Sequence, residues 1–419
     1  MKKNILHALS EKSFLYLWLG EIFTQISIHL FNFFCIIIVF KETHSSTAVA
    51  VVVLAFTIPA ILFGSFAGAY VDKWDKKKVL LITNLARALL FIILAFYIHN
   101  IYVLYTFGFI IAILTQFFIP AETPMVPLVV QKKNLLSANA LFGMGVYGSI
   151  LIAYALSGSL IIFLKPVNTL FFLAFMLIVG AAFIYFIKPR PSQRKDFLEI
   201  KSPSILKELK NTVSFMFKTK QISSSLLFLS LSQILILILA TIAPGYASQV
   251  LHVGVEEVPL FFVTPAALGM IVGAVMLVNV FHNFKKEKVI NVGLFLAGTA
   301  MLFLPYGSRV ASRGFVQTIN SYLPHLFQID ILHIMVVLAF ILGFANALIF
   351  VPANTIIQER TKDEFRGKVY GFLNSFIAML SILPIILVGG LSDLIGVGAV
   401  FTGIGATLLF FGILRLFNK

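Results

Sequence analysis

Cysteine is almost absent. Cys35 is the only one in 419 residues, which excludes an internal disulfide and any thiolate metal cluster. Charge is nearly as scarce, with 12% charged residues against 59% hydrophobic. Soluble domains carry about 25% charged residues, so a soluble fold is excluded and an integral membrane protein is expected. Acids are scarcer than bases, 17 against 32. The resulting net charge of +15 would suggest nucleic acid in a soluble protein. Here the basic residues sit in short loops between apolar runs, with no aromatic-interleaved basic face, so no nucleic-acid partner is expected. No Ser/His/Asp or His-Glu-x-x-His arrangement and no phosphate loop occurs, so no enzyme, cofactor or metal site is expected. Met1 to Lys12 is polar and the first apolar run is long enough to stay in the membrane, so no cleavable signal peptide is expected.

What is present is a succession of apolar runs. Twelve reach the roughly 20 residues that a spanning helix needs: 14–40, 47–71, 79–98, 101–121, 137–163, 167–187, 223–247, 259–281, 289–306, 331–352, 367–391 and 395–416. An even number leaves both termini on one side. The termini and the loops after even-numbered spans hold 27 of the 32 Lys and Arg; Lys41, Lys165, Arg309 and Arg313 fall on the other side, and Arg87 lies within span three. Cytoplasmic loops are enriched in Lys and Arg, so a multi-pass protein of the cell (inner) membrane with both termini cytoplasmic is expected. Arg87, about two turns from that side, is expected to snorkel to the cytoplasm.

The widest interruption, 188–222, separates six spans from six. It predicts an N-terminal bundle at 1–187, a cytoplasmic linker at 188–222 and a C-terminal bundle at 223–419. Within the linker, Ile205 to Phe217 has helical apolar spacing with lysines between, which predicts an amphipathic helix lying along the interface. The halves match in short stretches. Phe118-Ile-Pro-Ala-Glu122-Thr123 pairs with Phe350-Val-Pro-Ala-Asn354-Thr355, and Gly64 and Gly68 pair with Gly269 and Gly273. Internal repeats of this kind build secondary transporters. The expected fold class is therefore an all-α integral membrane protein, with twelve transmembrane helices in two pseudo-symmetric six-helix bundles.

An ionisable group inside the hydrocarbon is a functional candidate by default. Glu21 is the clearest, in span one, where Gln25, His29 and Asn32 follow at steps of four, four and three residues and share its helical face. This stripe is expected to line a polar cavity. Glu21 is read as a proton-binding carboxylate or a counter-charge for a cationic substrate, or as a structural hydrogen bond to a neighbouring helix. Span seven, its repeat partner, offers Gln233 but no charge, and Tyr147, Tyr154 and Asn374 are further candidate polar contacts to substrate.

The charged turn Gly68-Ala-Tyr-Val-Asp72-Lys73-Trp-Asp75-Lys76-Lys77-Lys78 resembles the signature loop between helices two and three of the Major Facilitator Superfamily. Asp75 departs from the glycine usual there. The resemblance implies a latch role for Gly68, Asp72 and Lys73, and a cytoplasmic gate is expected from these with Lys76, Lys77 and, after span ten, Arg366. Pro120-Ala-Glu-Thr-Pro124 with Ala138-Asn-Ala-Leu141, and Gln358 to Val369, are similar to the macrolide-efflux and enterobactin-export branch. Lysophospholipid transporters share the Pro-Ala and Ala-Asn-x-Leu elements. Antiporters of the superfamily usually carry a Gly-Pro step in helix five, where this chain has Ala153-Tyr154. The resemblance implies a secondary active transporter working by alternating access. The leading expectation is proton-coupled efflux of an amphipathic small molecule by a monomer in the lipid bilayer. The alternative is a lysophospholipid or other lipid-related carrier without proton antiport.

Overall fold

In the bilayer interior every backbone N–H and C=O must find a partner within the protein, which favours helices over irregular chain. The computed structural model describes residues 8–71, 73–131, 134–189, 220–281, 283–305, 318, 320–321, 331–361 and 363–417, and among them every long element is helical. The linker helix expected at Ile205 to Phe217 lies outside the described residues.

In chain order the long helices are α1 (Lys12–Thr43), α2 (Ser46–Val71), α3 (Lys76–Phe96), α4 (Ile101–Glu122), α5 (Leu135–Tyr185), α6 (Lys220–Tyr246), α7 (Thr264–Asn279), α8 (Lys286–Phe303), α9 (Ile331–Arg360), α10 (Asp363–Ile395) and α11 (Val397–Phe417). Among the described residues ten helical segments are long and apolar enough to cross a membrane, α7 only together with the turns from Val255 that lead into it; α8 falls short, with Lys286, Glu287 and Lys288 in its first turn. The fifth and sixth expected spans are two arms of α5. They meet at Lys165, which adopts φ 64 and ψ 158 ahead of Pro166. Proline cannot donate to a helical ladder, and it pushes the residue before it out of helical geometry.

Two polar residues set helix starts. Asn100 Oδ1 accepts from the backbone N–H of Tyr102 at 3.1 Å and of Val103 at 3.3 Å, and so opens α4. Asp75, the departure from the superfamily loop pattern, is the N-cap of α3, accepting from Lys78 N at 3.2 Å. A carboxylate there satisfies an orphan donor and offsets the positive end of the helix, beside three lysines that oppose it.

The chain forms two compact units, Met1–Ile38 with Leu54–Glu208, and Val39–Val53 with Leu209–Lys419. In the first, the Trp18 indole donates to Leu141 O at 2.8 Å, fixing α1 on the first arm of α5. On the second arm, a Cβ at Gly180 would lie 3.0 Å from Thr24 Oγ1 and 3.1 Å from Gly20 O. Small residues permit this approach between membrane helices. Phe14, Leu17, Leu80, Phe118, Val126 and Ile184 form a core at the lysine-rich end. There Glu11 Oε1 accepts from Gln131 N at 3.1 Å and Asn134 Nδ2 at 2.8 Å.

In the second unit, the backbones of α7 and α9 approach so closely that a Cβ at Gly343 would sit 1.7 Å from Ala266 O. The core gathers Ile242, Tyr246, Leu294, Met335 and Phe401. Tyr246 donates to Leu304 O at 2.5 Å. Asp393 of α10 caps the start of α2: it accepts from Ser45 Oγ at 2.6 Å, Ser46 N at 2.7 Å and Thr47 N at 2.9 Å. Lys41 pairs with Glu256, 215 residues on, within the same unit.

Candidate functional site

Three helices of the first unit bring ionisable side chains together inside it. Glu21 comes from α1, Arg87 from α3 and Glu122 from the last turn of α4, and their relative exposures are 2%, 1% and 8%. Arg87 therefore does not snorkel. The guanidinium is held inside the bundle by Nε donating to Thr83 O at 3.1 Å, one amino group to Asn84 Oδ1 at 2.6 Å and the other to Thr115 Oγ1 at 3.4 Å. It also lies 4.5 Å from the centroid of the Phe118 ring. A planar fork can satisfy several acceptors while its face rests on an aromatic ring.

Around this cation the acids are arranged asymmetrically. Gln25 Nε2 donates to Glu21 Oε1 at 2.5 Å, one turn along α1. The Glu122 carboxyl is within hydrogen-bonding reach of Glu21, and Arg87 interacts with both. Glu122 Oε2 is buried with no hydrogen-bond partner. Asn84 closes the circuit by donating to Thr24 Oγ1 at 2.8 Å, and Thr24 donates to Gly20 O at 2.8 Å. Two carboxylates face one guanidinium, so the cluster holds one negative charge in excess when both acids are ionised. A buried unpaired charge is expensive, and two carboxyls can bond to one another only with a proton between them. The arrangement can take up one proton or one cation.

The expected stripe on α1 is divided. Glu21 and Gln25 meet, whereas His29 Nδ1 lies 3.3 Å from the Tyr154 hydroxyl, with the two rings edge to face at 5.5 Å between centroids. Asn32 is half-buried. On α6, Gln233 is half-buried, and its neighbour Ser232 donates to Asn346 Oδ1 at 3.1 Å. Asn374 on α10 is exposed. The Tyr147 and Arg366 side chains, and Asp72, lie outside the described residues. Of the expected gate, Lys73 is exposed, and a Cβ added at Gly68 would meet nothing within 4 Å. Lys77 donates to Ile187 O at 2.8 Å and lies 5.5 Å from the Tyr185 ring centroid, inside its own unit.

Sequence reasoning missed Glu122 and Asn84 and misread Arg87. A signal for the acid was present: its repeat partner in the second half is Asn354, so the halves differ by a charge at matched positions.

The family model of the Major Facilitator Superfamily matches residues 17–319. The chain belongs to the Major Facilitator Superfamily. It is a multi-pass membrane transporter and not an enzyme. Among its relatives in the superfamily, an uncharacterized MFS-type transporter, YfiS of Bacillus subtilis (strain 168), is 21% identical over 388 residues, covering 90% of this chain and 86% of its own. Macrolide efflux protein A of Streptococcus pyogenes is 22% identical over 407 residues, covering 94% and 92%. Among solved structures, the nucleoside transporter NupG superimposes with a TM-score of 0.72 at 11% identity over 96% of this chain and 98% of its own. A bacterial homologue of the iron transporter ferroportin, in an inward-facing state, gives 0.66 at 15% identity over 96% and 98%. At such identities the structures share the superfamily fold alone.

Proposed function

We propose that the protein is a proton-coupled exporter of an amphipathic small molecule, working by alternating access, with the Glu21–Glu122 pair as its proton site. The observation that carries this reading is the excess acid in the cluster: two buried carboxyls, one guanidinium and a Glu122 oxygen without a donor. A proton taken up there neutralises the cluster; its release restores a negative charge that a cationic group on a substrate can match. Perturbed, buried acids with a specific charge partner are where coupling chemistry is sought. Arg87 limits the excess to one charge, so that a single proton switches the site. The direction of transport is supported by the likeness to macrolide efflux protein A.

In this reading the two halves, 1–187 and 223–419, rock about a central cavity to which His29, Asn32, Tyr147, Gln233 and Asn374 contribute contacts. Gly68, Asp72, Lys73, Lys76, Lys77 and Arg366 latch the inner side. The protein acts as a monomer in the inner membrane with both termini cytoplasmic. Reconstituted into liposomes, the wild type is expected to move a macrolide against its gradient when a pH difference is imposed, and Glu21→Gln or Glu122→Gln to abolish the pH-driven part. Uptake indifferent to the pH difference, or unchanged in both variants, overturns proton coupling at this pair.

A second reading, a lipid-related carrier without antiport, is favoured by one feature. α5 keeps helical geometry through Ala153–Tyr154, departing from it only at Lys165. Movement of lysophospholipid without any gradient would support that reading in place of the first.

A further inference from the structure

Outside the charged cluster, the first unit carries a groove of about 290 Å³ between α1 and the second arm of α5, lined by Tyr16, Val179, Ala182, Phe183 and Phe186. Val179, Ala182 and Phe183 of α5, with Phe186 at its C-cap, recur at helical spacing, so they form one outward face of that arm. The wall is held by stacked rings: Tyr16 and Phe183 lie 6.4 Å apart at 28°, and Phe23 and Phe183 5.8 Å apart at 28°. Beside it, α1 and α5 pass closely at Gly20, one turn beyond Tyr16, and at Gly180, next to Val179. This is a fixed apolar concavity on a helix surface.

One end of the groove is basic. Lys12 stands one turn before Tyr16 on the same face of α1, and Lys188 stands two residues beyond Phe186; both are exposed. The start of α1 and the segment after α5 are tied together, with Ser13 Oγ donating to Lys188 O at 3.2 Å. Lys77 adds a third ammonium, anchored on Ile187 O at 2.8 Å. An apolar slot with two exposed lysines and one anchored lysine toward one end matches a molecule with an acyl chain and an anionic head. Basic sites at helix ends on the more basic side of a membrane suit acidic phospholipids, whose attraction falls off within a Debye length.

The geometry points to a binding site for one acidic phospholipid of the bilayer, with an acyl chain lying against Tyr16, Phe183 and Phe186 and the phosphate held by Lys12, Lys188 and Lys77. The site goes beyond the transport cycle and does not depend on which substrate is carried.

Native mass spectrometry of the full-length protein, released from detergent with palmitoyl-oleoyl phosphatidylglycerol or the matching phosphatidylcholine, tests it. The wild type is expected to retain one phosphatidylglycerol under activation that strips phosphatidylcholine. The double variant Lys12→Gln/Lys188→Gln should lower the bound fraction roughly tenfold. Ala182→Phe, which fills the slot and leaves the lysines in place, should lower it as much; Val179→Phe repeats this test from the same face should Ala182→Phe fail to fold. Equal retention of the two lipids, or phosphatidylglycerol retained undiminished by the lysine variant, overturns the proposal. Loss in the lysine variant with full retention in both phenylalanine variants also overturns it, because the groove would then have no part in the binding.

Discussion

Arg87 donates to Asn84 Oδ1 at 2.6 Å, and Asn84 donates in turn to Thr24 Oγ1 at 2.8 Å, so the cation of α3 is tied to the turn of α1 that carries Glu21. A guanidinium with this many partners is structural as well as electrostatic. Replacing Arg87 with Met leaves two buried acids with no cation, and breaking a buried pair from one side costs about 3–5 kcal/mol. The expected outcome is a clear fall in the thermal unfolding midpoint in detergent. Adding Glu122→Gln to that variant should restore part of the loss, because it removes one uncompensated charge. A double variant less stable than Arg87→Met alone would mean that Glu122 is not held by the cation.

Much of the scaffold could be read from the residues, and most of the cluster could not. Apolar runs located α1 at 14–40, where the helix is Lys12–Thr43, because the bilayer dictates length and composition together. The stop between spans five and six was legible at Lys165-Pro166. Arg87 was not. About two turns from a basic end, a long cationic side chain can reach water, and only the adjacency of α1 and α4 supplies the carboxyls and the Phe118 ring that turn it inward. Adjacency of helices distant in sequence leaves no periodicity to detect. The same limit hid Glu122, which fell one residue past the expected end of its span, and Asn84, which looks like any polar residue in an apolar run. The Glu21 stripe was legible as far as Gln25; beyond it, His29 meets Tyr154, a partner set by the packing of α1 on α5.

In the other unit, Asp393 holds the start of α2. Its carboxylate takes the place of an N-cap for α2, although it is 347 residues from Ser46 in sequence. Losing an N-cap costs about 0.5–2 kcal/mol, and here three donors are released at once. Asp393→Ala is expected to speed amide hydrogen exchange at Ser46 and Thr47 and to lower the unfolding midpoint. Asp393→Asn, which keeps one acceptor oxygen, should fall between the variant and the wild type. Unchanged exchange at both amides would show that the cap does not hold the start of α2.

Tyr246 plays a related part at a helix end. Its hydroxyl donates to Leu304 O, just past the end of α8, where helix carbonyls lack partners within the helix. Tyr246→Phe keeps the ring packed against Phe401 and removes only that donor. Leaving a buried carbonyl unpaired costs about 1–3 kcal/mol, so the midpoint should drop by a few degrees with little change in the helical circular dichroism. A neutral result would place the Leu304 carbonyl in contact with another donor.

The repeat matched Gly64 and Gly68 with Gly269 and Gly273, but matched positions do not carry matched packing. At Gly273 a Cβ would lie 2.8 Å from Ala347 Cβ, and at Gly269 2.0 Å from Phe340 O, whereas at Gly68 it would meet nothing within 4 Å. Backbone atoms cannot give way as the end of a flexible side chain can, so Gly269→Ala has to push α7 from α9 along their whole contact. Overpacking of this sort typically costs about 1–3 kcal/mol and sometimes more, and in a helix pair held by close backbone approach it removes the interaction itself. Gly269→Ala is therefore expected to reduce the yield of monodisperse protein severely in size-exclusion chromatography, and Gly68→Ala to leave it unchanged. If Gly68→Ala nevertheless slows transport, the reason must be the conformational freedom of the loop it precedes, as the gate reading requires. If it slows neither folding nor transport, Gly68 has no part in the gate.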